Sequence, residues 1–208
     1  METTDLAKYL SDFFAKYLPG ERNVSYNTIL AYKDTFIQLI TFMKEQKGIA
    51  AQKLTLEKIN RDTIMDFLDW LQEARQCSNA TRNYRLAAIR SFFNYLQYEN
   101  PERLFEWQKI ISIKVKQHQK KSINYLTTDG IKLLLEQPDI STRNGRRNLA
   151  LLALMYDSGA RVQEMIDLTP SSVRLDSPNI VRLVGKGRKA RLVPLHEEQK
   201  KKKKKYMQ

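Results

Sequence analysis

The sequence is poor in the residues from which metal and disulfide sites are built. Cys77 is the only cysteine among 208 residues, so no intramolecular disulfide can form. A cysteine-based zinc site is excluded for the same reason. The two histidines, His118 and His196, lie far apart along the chain, and no metal is expected. Long apolar runs are also missing. The longest, Leu149 to Tyr156, is far short of a bilayer span, so no membrane association is expected. The opening residues Met1-Glu-Thr-Thr-Asp-Leu6 have no basic stretch and no apolar core. No secretory signal is therefore expected, and a cytoplasmic protein of bacterial or phage origin is the default.

Acid is the remaining shortage. There are 23 Asp and Glu against 36 Lys and Arg, a net charge of +13. Six of those charges are the run Lys200 to Lys205, and without them the excess is +7. A surplus of this size points to a polyanionic partner. The chain is otherwise of ordinary globular composition, 42% hydrophobic and 28% charged, with room for one large domain or two of usual size.

Residues 1–111 read as almost pure helix. Leu6, Tyr9, Leu10, Phe13, Phe14 and Tyr17 form one stripe from Asp5 to Leu18, which Pro19-Gly20 should stop. Ser25 should cap a second helix ending at Gly48. A third fits Asn60 to Glu73. A fourth, capped by Ser78 or Asn79, runs to about Glu99 with Tyr84, Ala88, Phe92 and Leu96 inward and Ile89 and Phe93 beside them. A short fifth fits Leu104 to Ile111. Helices joined by such short loops make a compact bundle.

Residues 112–124 hold Lys114, Lys116, Lys120 and Lys121, no acid and no apolar period, so they read as an exposed basic linker able to touch phosphate. From 125 onward a second domain is expected. Thr127 or Thr128 caps a helix to Glu136. Thr142 to Asp157 is a longer helix with a basic start and the apolar body 149–156, suited to a buried central position. Arg161 to Leu168 is a short helix. The period then changes to two at Ile180–Val184 and Ala190–Leu195. These flank a basic tip, Gly185-Lys-Gly-Arg-Lys189, as a hairpin with Pro194 on an edge strand. The fold class is mainly α with a small β-hairpin or sheet.

Two segments carry chemistry. In Ser158-Gly-Ala-Arg-Val-Gln-Glu-Met-Ile-Asp-Leu168 an arginine follows a glycine turn at the mouth of a helix. Its planar fork suits a phosphate, and Glu164, three residues on, shares its helical face. A purely structural Arg–Glu pair reads equally well from spacing alone. In Val184-Gly-Lys-Gly-Arg-Lys-Ala-Arg-Leu-Val-Pro-Leu195 a lysine sits between two glycines at a turn. Near a phosphate it could protonate a leaving oxygen. A solvated basic turn is the simpler reading. The strand–turn–strand context rules out a nucleotide-binding phosphate loop, which opens a helix.

Together the two segments resemble the tyrosine recombinase, or phage integrase, family, nearest its Xer-like and transposon-integrase branch. The helical half, with Ser25-Tyr-Asn-Thr-Ile-Leu-Ala-Tyr32 and Ser78-Asn-Ala-Thr-Arg-Asn-Tyr-Arg-Leu-Ala-Ala-Ile-Arg-Ser-Phe-Phe93, is similar to that family's SAM-like core-binding domain. The resemblance implies a core-binding domain over 1–111 and part of a catalytic domain over 125–208, clamped on double-stranded DNA. It implies that Arg161 binds the non-bridging oxygens of a scissile phosphate, that Glu164 supports it, and that Lys186 is the general acid. Strand exchange would pass through a 3′-phosphotyrosine and need no cofactor. DNA contacts are expected from Thr28, Asn79, Thr81, Arg82 and Arg85 near two helix starts. Lys114, Lys116, Arg143, Arg146, Arg188, Lys189 and Arg191 are expected to add phosphate contacts.

The resemblance stops after the hairpin. The family's His-x-x-Arg segment has no match there. His196 is followed by Glu197-Glu198-Gln199, and Tyr206, the one tyrosine beyond the hairpin, comes too soon to be the nucleophile. The sequence therefore reads as a C-terminally truncated recombinase that binds DNA without cleaving it. Its second domain should then be left partly exposed and poorly soluble. Full-length protomers are candidate partners, with weak or no tetramerisation. A non-catalytic regulator occupying recombination sites is the alternative. A helix-turn-helix transcription factor would not need the basic hairpin.

Overall fold

The computed structural model describes residues 3–118, 122, 124–174, 176–185, 187 and 189–195. The chain divides into two compact units, residues 1–121 and 122–208. The first is helical: α1 (Asp5–Asp12), α2 (Tyr26–Lys47), α3 (Arg61–Glu73), α4 (Asn79–Glu99) and α5 (Leu104–Ile111). The second holds α6 (Thr128–Glu136), α7 (Arg143–Ser158), α8 (Val162–Ile166) and a sheet of β1 (Val173–Arg174), β2 (Ile180–Val184) and β3 (Ala190–Pro194).

Polar caps start these helices. Ser25, Asn60, Ser78, Thr127 and Thr142 each accept the backbone N–H three residues on. Gly48 and Gly159 end α2 and α7 in the left-handed region, at φ 66° and 58°, which glycine enters without a Cβ penalty.

Pro19 does not stop the first helix. The helix widens from Phe13 to Glu21 into a π-helical segment with Pro19 inside it. Proline offers no N–H, and its ring crowds the carbonyl of the preceding turn. A wider turn relieves that clash, and Arg22 N–H still reaches the Tyr17 carbonyl at 3.0 Å. Phe13 thereby stays in the core.

That core is aromatic. Phe13, Phe36 and Phe92 meet edge to face, with ring centroids 5.2 to 6.5 Å apart. The fourth helix is covered on most sides and buries Arg82, Leu86, Ile89, Phe92, Phe93 and Leu96. Tyr84, expected inward, lies on the opposite side from Arg82 and is 47% exposed.

Residues 114–118 are exposed, yet the segment is fastened to the first unit. Ile113 is buried, and Arg90 donates to its carbonyl. The Asn83 amide pairs both ways with the backbone of Lys116, at 2.7 and 3.0 Å. Asn79 Nδ2 donates to the Gln117 carbonyl at 2.8 Å.

In the second unit the sheet order is β1-β2-β3, antiparallel throughout, with β3 on an edge. Alternation along β2 buries Val181 and Leu183 against Leu154, Ala160, Met165 and Leu195. The seventh helix is not a buried central element. Only Gly145, Ala153 and Leu154 are buried in it, and Tyr156 is 56% exposed. One face meets the sheet and α8, α6 lies against another part of it, and Leu149 to Leu152 are only half-buried. No described helix is long and apolar enough to cross a membrane.

Candidate functional site

Three elements of the second unit converge on one carboxylate. The seventh helix ends at Gly159, the chain turns through buried Ala160, and Arg161 becomes the N-cap of α8. Glu164, at the third helical position, accepts the Arg161 backbone N–H on Oε2 at 3.0 Å. That is the carboxylate half of a capping box. Arg161 also donates Nη1 to Oε1 at 3.0 Å. From β3, Arg191 donates Nη1 to Oε1 at 3.0 Å and Nη2 to Oε2 at 2.7 Å, a two-pronged fork. The hairpin closes over the group at Gly185, where a Cβ would lie 2.7 Å from Glu164 Oε1.

Glu164 is buried, whereas the Arg161 side chain is 72% exposed. The carboxylate is thus a fixed anchor, and Arg161 presents its remaining donors to solvent. The Arg191 fork, then the Arg161 backbone N–H, hold the Glu164 carboxyl down at about 2, against an ordinary 4.5. Because the folded-state value is lowered, the stability this anchor gives is complete above about pH 4.5. It is lost as pH falls from there through about 2. Urea melts at about pH 6 and about pH 3 should show the second unit losing more stability in the wild type than in Glu164→Gln.

The other candidate residues are dispersed. Thr28 and Thr81 sit at matching places, each with its N–H on the capping serine of α2 or α4. The Asn79 amide is engaged by Gln72 and Gln117. Arg82, expected on a DNA-facing surface, is instead 1% exposed, near Asn83 and with its Nε lacking a partner among the described residues. Burial lowers its pKa, opposed by Asp69. Arg85 pairs with Asp34 of α2 at 2.7 Å and is largely covered. Lys116 reaches Gln72 and Asp69, and Arg146 turns back to the carbonyls of Ile140 and Ser141. Lys114, Arg143 and Lys189 are exposed. Lys186, Arg188, His196 and Tyr206 lie outside the described residues. Among the described residues no cluster of His, Cys, Asp or Glu could hold a metal ion.

Arg191 was expected at a phosphate, and its fork is on Glu164 instead. The alternation of β3 carries the signal, since Arg191 shares a face with Val193 and stands opposite Leu183. Asn83 gave no such signal, because its partner is a backbone 33 residues away.

The sequence and fold match known proteins along nearly the whole chain. Residues 12–100 match the phage integrase N-terminal SAM-like domain, and residues 124–208 match the phage integrase family. Two putative integrase/recombinases of Sinorhizobium fredii, y4rC and y4rD, are 36% and 34% identical over 91% and 93% of the chain. The crystal structure of the XerH site-specific recombinase bound to palindromic difH substrate aligns with a TM-score of 0.65 at 20% identity, over 89% of this chain and 54% of that one. The chain belongs to the tyrosine recombinase, or phage integrase, family. It spans 57% of the length of y4rC and 69% of that of y4rD.

Proposed function

We propose that this chain grips duplex DNA for site-specific recombination, with the Arg161–Glu164 pair as its phosphate-reading element. The observation that carries the reading is the asymmetry of that pair: a buried, fully bonded carboxylate aims an arginine that is 72% exposed. An arginine so held loses little freedom when it meets a phosphate oxygen. Such a group stabilises the charge that builds on a phosphorane during strand cleavage. Lys186, which the sequence sets between Gly185 and Gly187, would protonate the 5′-oxygen as it leaves. The first unit would approach DNA with the starts of α2 and α4, where Thr28 and Thr81 stand, and Lys114, Arg143 and Lys189 would add phosphate contacts.

Cleavage by the family's route needs a tyrosine and a second phosphate-binding arginine. No His-x-x-Arg follows the hairpin within these 208 residues. These 208 residues, tested alone, should therefore shift DNA without forming a covalent adduct. A nicked suicide duplex with a candidate core site tests this through a mobility shift and an SDS-resistant adduct. The expected result is a shift with no adduct, and a shift weakened by Arg161→Ala. An adduct, or no shift at any salt concentration, overturns the reading.

A further inference from the structure

Arg191 has a role that its position in a basic hairpin disguises. A basic residue beside a phosphate-reading arginine is ordinarily a second phosphate contact. Here both terminal nitrogens of Arg191 are turned onto Glu164, at 3.0 and 2.7 Å, and Nη2 also lies 3.4 Å from the Gly159 carbonyl. Its side chain is 38% exposed, about half the exposure of Arg161. Among the described residues the charged groups touching Glu164 are Arg161, from the start of α8, and Arg191, from β3. Arg191 supplies two of the four hydrogen bonds on the carboxylate and comes from an element 27 residues further along the chain.

We propose that Arg191 is a positioning residue: its fork fixes the Glu164 carboxylate, and Glu164 in turn aims Arg161 at a phosphate oxygen. Without the fork, Glu164 would keep only the Arg161 backbone N–H on Oε2 and the Arg161 Nη1 on Oε1, so the oxygen that faces the Arg161 guanidinium would lose its second, independent donor. The coupling also links two segments that meet only in the folded unit, the α7–α8 turn and the hairpin. A lysine cannot replace the fork, since its single nitrogen cannot give each oxygen its own parallel N–H bond. The pKa of Arg191 is raised by the Glu164 bond, in keeping with a shared ion pair.

The inference rests on the DNA-binding reading for its consequence but not for its geometry, and two measurements separate them. The first is a carboxylate NMR titration of Glu164 in the full chain, compared with Arg191→Gln and Arg191→Lys. The titration midpoint should rise from about 2 to above about 3 in Arg191→Gln, with the Arg161 guanidinium signals broadened. An unmoved midpoint overturns the proposal. A midpoint that rises while the Arg161 guanidinium signals stay sharp would mean an ion pair that does not position Arg161, and would overturn the proposal too. Arg191→Lys keeps the charge and should still raise the midpoint, which preserves the test if the glutamine variant folds poorly.

The second is a double-mutant cycle in affinity for a core-site duplex. Arg191→Gln should weaken binding about tenfold in the wild-type background and leave it nearly unchanged in Arg161→Ala. Losses that simply add would mean that Arg191 touches phosphate itself, and would overturn the proposal. If the wild type binds no duplex, the DNA reading fails and the NMR titration alone decides the role of Arg191.

Discussion

Gly145→Ala is expected to unfold the second unit while leaving the first intact. Gly145 is buried at the third position of α7, where its N–H donates to the Thr142 cap. A Cβ there would sit 1.7 Å from the carbonyl oxygen of Asp139, 2.4 Å from its carbon and 3.0 Å from its nitrogen. All three are backbone atoms, so no side-chain rotation relieves the overlap. Nor can the loop simply step back. The Asp139 carbonyl accepts from both the backbone N–H and the hydroxyl of Thr142, at 3.2 and 3.0 Å, so retreat breaks the cap of α7. Overpacking against movable side chains costs about 1–3 kcal/mol, and a fixed backbone places this change at or beyond that upper end. The second unit has a small core, so a loss of this size removes its folded state. Calorimetry of the full chain should show one melting transition kept and the other absent. Two unchanged transitions would show that the loop before α7 is adaptable.

The matching experiment on the first unit is Phe92→Ala. Phe92 is fully buried and packs edge to face on Phe13, Phe36 and Phe93. Its removal leaves a cavity that three other rings cannot fill, because each is held by further partners. The cost is about 4 kcal/mol. For a unit of this size that should lower the melting temperature by more than about 10 °C. The fourth helix also carries Thr81 and the asparagines that fasten Lys116 and Gln117, so the variant should weaken DNA binding at temperatures where it is still folded. A shift of only a few degrees would mean that the aromatic cluster repacks around the gap.

Much of this architecture is legible in the residues. Ser25, Asn60, Ser78, Thr127 and Thr142 announce helix starts because a short polar side chain is the cheapest partner for an orphan N–H. The hairpin shows in the alternation of 180–184 and 190–194. What the sequence hides is tertiary. Nothing local says that a helix can pass Pro19 by widening its turn. The two-residue β1 is too short to have a period. Arg82 reads as surface because arginine is rarely buried, yet the packing of α4 on its neighbours encloses it. At the site, Arg161 and Glu164 are visible as a pair three residues apart. The third member, Arg191, joins only when β3 folds back, and its residue type pointed to a phosphate before its strand position pointed to the core.

The ion pairs of the molecule change what its basic composition means. Arg85 is already matched by Asp34, Lys116 by Asp69 and Arg191 by Glu164. For each of these a contact with DNA would be an exchange, one carboxylate released for one phosphate gained, rather than a new neutralisation. Affinity for a polyanion grows with the counterions its phosphates shed, about 0.9 of a unit of salt slope per phosphate neutralised. The steepness of that slope should therefore follow the cations that carry no ion pair among the described residues, such as Arg143 and Lys189, and fall below what the count of 36 Lys and Arg would suggest.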